Sequence, residues 1–258
     1  MFASLDLSIL FPAFLAGLLV IATHVPLGQR VLARGIVFID LAIAQVAGLG
    51  VIVADGLGWE PQGWRVQLAA TAAALLGALL LTWTEKHWPD VQEALIGVLF
   101  VAAASVALLL LAHNPHGGEH LQDLLVGQIL WVTPAQLLPA AVLYAVVLLL
   151  WFLFAGRISS ATRAGRMWFY GLFALTVTQS VQLVGVYLVF ATLILPALAV
   201  RRLPGRWRLA VGYLTAIVGY LFGLSLSAAL DLPTGPTIVC TLLLAFIAVA
   251  ALARTSDA

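Results

Sequence analysis

The sequence is a succession of apolar runs, each near the length a helix needs to cross a bilayer, separated by loops too short to fold alone. In hydrocarbon no water satisfies a bare N–H or C=O, so a crossing backbone has to bond within its own segment. A helical crossing takes about 20 residues. Nine runs qualify, at 8–26, 35–54, 66–84, 91–112, 135–155, 167–183, 185–200, 209–230 and 236–253. The chain is therefore expected to be an all-α, polytopic membrane helix bundle. The sixth and seventh runs are short and separated only around Gly185; merging them gives eight. A further apolar piece at 121–133 is too short to cross, and lies at the interface or re-enters the bilayer.

Composition leaves no room for a soluble domain. Hydrophobic residues make up 63% of the 258, charged residues only 9%, and the mean hydropathy is +1.11. A soluble domain is nearer half apolar and a quarter charged. Residues 1–258 are expected to form a single membrane domain whose surroundings are the lipid bilayer. The net charge of +1 does not point to nucleic acid. The single Cys240 sits in an apolar run, so neither a disulfide framework nor a cysteine metal site is available. The opening "MFASLDLSILF" lacks the basic region of a signal peptide and reads as a retained first span.

Basic residues in short loops set orientation. Arg30 and Arg34 follow the first run, Lys86 the third, and Arg157, Arg163 and Arg166 the fifth. Arg201, Arg202, Arg206 and Arg208 follow the seventh, and Arg254 the ninth. These alternate loops hold all the basic residues except Arg65, 11 of 12. The alternation predicts the N-terminus outside and the C-terminus inside. The loops at 55–65, 113–123 and 231–235, with Asp55, Glu60, Glu119, Asp123 and Asp231, then face outward. Small-residue stretches such as "AATAAALLGALL" and "AGLG" predict closely packed helices.

Several polar residues interrupt the apolar runs. Asp40 lies six residues past Arg34, roughly 9 Å along a continuous helix. An intramembrane carboxylate usually faces a bundle interior or a hydrated cavity; the alternatives are an interfacial Asp that snorkels or one that pairs with an arginine. Gln45 falls about 140° around a regular helix from Asp40, whereas Ala44 and Ala47 share its side. The sixth run holds Thr178, Gln179, Ser180 and Gln182, which either line a pore or bond helix to helix. Pro196 in the seventh run removes a backbone hydrogen bond and favours a kink. The outer loop "HNPHGGEHLQD" supplies His113, His116, Glu119 and His120, ligand types used for zinc and manganese, though without the spacing of a closed zinc site. His24 is expected to be a structural hydrogen-bonder. The chain has no nucleotide-binding loop and no hydrolase elbow.

Four stretches, in order, resemble the permease subunits of ABC importers for zinc, manganese and iron. "HVPLGQRVLARGIVFIDLAIAQVAGLG" is similar to the family's L-G-x-x-x-x-x-R segment and its Asp-bearing helix. "EHLQDLLVGQILWVTPAQL" resembles L-x-G-x-x-L-x-V-T-x-x-D/E-L. "VGVYLVFATLILPALAVRRL" resembles V-G-x-L-L-V-x-A-L-L-I-I-P-A, and "LDLPTGPTIVCTLLLAFI" resembles D-x-P-x-G-P-x-I-V. The resemblance implies a permease that works as a homodimer or pair in a bacterial plasma (inner) membrane. It carries a divalent metal as substrate and binds no cofactor of its own. A separate cytosolic ATPase subunit uses ATP, and an extracytoplasmic metal-binding protein delivers the ion. Many relatives carry G-D-x-x-x-H in the Asp-bearing helix; Asp40 matches the Asp, but Ala44 stands where the His would be. Gln45 follows a subgroup pattern. The cytosolic segment after the fifth run, "FAGRISSATRAGRMWFYG", lacks the family's D-P-E and is shorter, which leaves Arg157, Arg163 and Arg166 as the expected ATPase-coupling residues. Competing readings are a self-sufficient carrier or channel, and a non-transporting scaffold derived from the permease fold.

Overall fold

The computed structural model describes residues 7–59, 63–111, 125–154 and 162–255. Among these residues all regular structure is helical. Nine α-helices follow in order: α1 (Leu7–Arg34), α2 (Ile39–Gly56), α3 (Trp64–His87), α4 (Gln92–Leu111), α5 (Pro134–Leu153), α6 (Arg163–Val184), α7 (Val186–Ala199), α8 (Gly205–Leu230) and α9 (Thr234–Thr255). Short 3-10 turns occupy Pro89–Val91 and Ile129–Trp131. Seven of the nine, all but α6 and α7, are long and apolar enough to cross a membrane. The Thr, Gln and Ser cluster of α6 dilutes its hydropathy. The 14 residues of α7 span about 21 Å at the helical rise, short of the roughly 30 Å hydrocarbon core.

The first helix runs further than the apolar pattern suggests. It continues through Pro26 to Arg34, so Arg30 lies on the helix rather than in a loop. A proline in a helix leaves the carbonyl four residues earlier without its N–H. Here that carbonyl belongs to Ala22, and the Tyr213 hydroxyl on α8 donates to it at 3.0 Å. The helix ends where Gly35 takes a φ of 70°, and Ile36–Phe38 are not helical although apolar.

By internal packing the chain divides into two compact units: Met1–Arg34, Leu125–Tyr144 and Gln182–Ala258 in one, Gly35–Leu124 and Ala145–Val181 in the other. In the first, α1 packs on α7 and α8, and α9 packs on α7 and α8. The join between α6 and α7 is the single residue Gly185, at φ 81° and ψ 162°. That region is essentially closed to residues with a Cβ. Gly127, also at positive φ, lies against it so closely that a Cβ on either glycine would fall on the other segment's backbone. A Cβ on Gly235 would likewise meet the Val126 carbonyl. The short apolar piece ending at 133 is thus held, in its described part, by backbone contact with the α6–α7 break and the start of α9. Pro196 sits in the last turn of α7, which continues through it; the break lies at Gly185 instead.

In the second unit α2 packs on α3 and α4. Gly50 lies on the α3 backbone at Ala69, and Gly77 lies on Val46. A buried polar group ties three helices together around Gln92. Its side-chain oxygen accepts from the Thr84 hydroxyl at 2.9 Å, and its amide donates to the Leu81 carbonyl at 3.1 Å and to the Tyr170 hydroxyl at 3.2 Å.

Two outcomes follow from these contacts. Tyr213→Phe leaves the Ala22 carbonyl without a donor and should lower the stability of the purified protein by about 1–2 kcal/mol. An unchanged thermal unfolding midpoint would show that another group satisfies that carbonyl. Gly185→Ala should cost about 3 kcal/mol or more, from positive φ and backbone overlap together. Gly171→Ala, on α6 with open space around it, is the control and should change little. Equal unfolding midpoints for the two alanine variants would remove the close crossing at Gly185.

Candidate functional site

Asp40 sits in the first turn of α2 and is 1% exposed. Neither carboxylate oxygen has a hydrogen-bond partner. Its placement differs from the expectation of a continuous helix from residue 35. Because Gly35–Phe38 break the chain, Asp40 stands at a helix start, close to the N–H groups of its own residue and Leu41. The positive end of the α2 dipole favours a carboxylate there, yet the side chain lacks the bonded donors that would compensate its burial. Among the described residues neither oxygen accepts a hydrogen bond from an arginine.

A second carboxylate approaches from α4. Glu93 lies in the first turn of that helix, and its Oε1 accepts the Phe38 N–H at 3.3 Å. Its other oxygen is buried without a partner. Glu93 is near enough to Asp40 to act on it electrostatically. The turn at 36–38 therefore brings two acidic side chains together within one unit. Sequence reading missed Glu93. The signal was there: an acidic residue in "DVQEALIGVLF", at the start of an apolar run.

The other expected site residues separate. Gln45 is half-buried, away from the Asp40 side, while Ala44 and Ala47 on that side are buried. Gln179 is bonded helix to helix: the Gln67 amide on α3 donates to its side-chain oxygen at 3.1 Å. Gln182, three residues on along α6, is exposed. His24 is buried, with Nδ1 donating to the Val20 carbonyl at 3.0 Å, which matches a structural role. His113, His116, Glu119 and His120 lie outside the described residues, as does Arg157. Arg163 is exposed at the start of α6, which the Thr162 hydroxyl caps by accepting the Gly165 N–H at 3.2 Å. The Arg166 guanidinium lies 3.9 Å from Glu85.

Among the described residues no group of three or more His, Cys, Asp or Glu forms a ready metal cage. What the Asp40 environment offers is a buried carboxyl group without bonded donors, with the Glu93 carboxyl nearby. Such a site lacks a full ligand set for a resident ion.

Comparison with known proteins places this geometry in a family. The zinc uptake membrane protein ZnuB of Haemophilus influenzae is 25% identical over 246 residues, 90% of this chain and 92% of that protein. A probable metal transport system membrane protein of Thermotoga maritima is 28% identical over 258 residues, covering 94% and 89%. Among solved structures, PsaBC from Streptococcus pneumoniae in complex with Fab has the same fold, with a TM-score of 0.78 at 20% identity over 96% of this chain and 95% of that one. The profile of the ABC 3 transport family matches residues 6–253. The chain belongs to the ABC 3 transport family, as a multi-pass membrane permease of metal-transporting ABC systems and not an enzyme.

Proposed function

We propose that this permease imports a divalent metal ion, zinc, manganese or iron, and that the ion passes the Asp40–Glu93 pair. The observation that carries the reading is the Asp40 carboxylate: 1% exposed, with both oxygens lacking a hydrogen-bond partner. A buried carboxylate without donors is a standing cost, and a passing cation is the group whose charge relieves it. With Ala44 in place of a histidine, the neighbouring donors are carboxylate oxygens. Oxygen donors suit manganese better than zinc, which favours imidazole and thiolate. The family match along the chain favours this reading over a self-sufficient carrier, a channel or a scaffold.

The same reading extends to assembly. The chain works in the bacterial inner membrane as a homodimer or pair, N-terminus outside and C-terminus inside. A cytosolic ATPase supplies energy through the segment that holds Arg157, Arg163 and Arg166, and an extracytoplasmic metal-binding protein delivers the ion, with His113, His116, Glu119 and His120 at the receiving side. The exposed amide of Gln182 suits a wall of the hydrated path or the contact with the second copy, whereas Gln179 contributes through Gln67 to the wall's rigidity.

Asp40→Asn in the assembled transporter should reduce metal uptake by about tenfold or more, because charge attraction for a divalent ion is lost. Its thermal stability should hold or rise, since an uncompensated buried charge has been removed. Glu93→Gln should reduce uptake in the same direction by a smaller factor. Unchanged uptake by well-folded Asp40→Asn would sink the pathway role. For orientation, single cysteines at 163 and 206 in a Cys240→Ser background should resist an impermeant reagent added outside, and one at 65 should react. Labelling of position 163 from outside intact cells would reverse the topology.

A further inference from the structure

At the arginine-bearing end of the first unit, α7, α9 and the turn before α8 enclose a cleft of about 160 Å³. It is lined by Leu198 and Ala199 from α7, Phe246, Ala250 and Ala253 from α9, and Arg201 and Arg202 from the turn. Apart from the two arginines the lining is apolar, which suits a hydrocarbon chain. Both arginines are exposed. Among the described residues neither guanidinium has a hydrogen-bond or ion-pair partner. The carbonyl groups at this turn do not account for them. Arg208 already donates to the Leu203 carbonyl at 2.8 Å and to the Arg201 carbonyl at 3.2 Å. Two cations without partners among the described residues therefore sit beside an apolar trench between α7 and the end of α9, a helix long and apolar enough to cross a membrane.

We propose that this cleft binds one anionic phospholipid, its phosphate on Arg201 and Arg202 and an acyl chain along Phe246 and Ala250. Guanidinium forks match phosphate oxygens, and basic pockets between membrane helices take anionic headgroups. On α9, Leu243 and Ile247, one turn before Phe246 and Ala250, are exposed apolar side chains beside the lining face, a surface suited to acyl chains. A protein partner docked on the arginines would use the charges and leave the trench unfilled, so the combination favours lipid. The inference does not depend on the Asp40 pathway.

The test uses the full permease assembled with its ATPase, delipidated in mild detergent and titrated with phosphatidylglycerol or phosphatidylcholine under native mass spectrometry. The wild type should retain one tight phosphatidylglycerol per permease chain and bind phosphatidylcholine at least about tenfold more weakly. Arg201→Gln with Arg202→Gln should lose that preference. Ala250→Phe, which fills the trench and keeps both charges, should weaken phosphatidylglycerol as well, with the unfolding midpoint retained. Equal binding of the two lipids, or unchanged lipid binding in the double variant, would overturn the proposal. Weakened ATPase association in the double variant with lipid binding intact would overturn it in favour of a protein-docking face. Competition by inorganic phosphate equal to that by the lipid, with Ala250→Phe neutral, would reduce the cleft to an anion site and also overturn it.

Discussion

The interaction on which this fold depends is the satisfaction of backbone polar groups where no water can reach them. A bilayer tolerates a broken helix only where protein covers the exposed N–H and C=O groups. The chain meets that requirement differently at its two main irregularities. At Pro26 the loss is one hydrogen bond, and a tyrosine hydroxyl from a neighbouring helix supplies it. At Gly185 the whole direction of the chain changes. There the backbone of Val126–Gly127 lies against it, and all of Val184, Gly185 and Val186 are buried. Three of the four motif stretches in the sequence meet at this crossing through Gly127, Gly185 and Gly235. Their glycines are explained by backbone approach, without any direct role in binding.

The contrast with Asp40 is instructive. Several other buried polar side chains are bonded: Gln92 to three partners, Thr192 to Tyr220 at 2.8 Å, and Thr241 to the Gly219 carbonyl at 2.7 Å. A chain able to satisfy those groups leaves both oxygens of one carboxylate, and one oxygen of Glu93, without donors. A buried carboxylate without donors is a cost to folding, and the proposed passage of a cation gives that cost a function.

Much of the helical layout was legible because apolar length is a direct consequence of the bilayer. All nine apolar runs correspond to helices among the described residues. The number of crossings was harder to read where α6 and α7 abut, since a polar face and a short helix blur the hydropathy signal. The end of α1 was hidden by Pro26 and Arg30, because the compensating Tyr213 lies far along the chain and pairing at that separation leaves no local trace. The start of α2 was hidden for the opposite reason: Ile36–Phe38 are apolar and look helical, yet Gly35 turns the chain first. Asp40 was legible as an anomaly of composition. Glu93 was not singled out, because its closeness to Asp40 arises only from the packing of α4 against the turn before α2.

The proposed pathway gains from what its site lacks. A resident metal centre needs three or four converging ligands held by neighbouring groups. Two carboxylates at helix starts give attraction without a closed coordination shell, and Ala44, one turn beyond Asp40, adds no ligand. Conduction requires binding strong enough to admit an ion and weak enough to release it. A histidine at 44 would deepen the well for zinc in particular, since imidazole is its preferred nitrogen donor. With alanine there, the well is shallower and rests on charge and oxygen. On the proposed pathway, selection among divalent metals falls less on the helix that bears Asp40 and more on the step that delivers the ion.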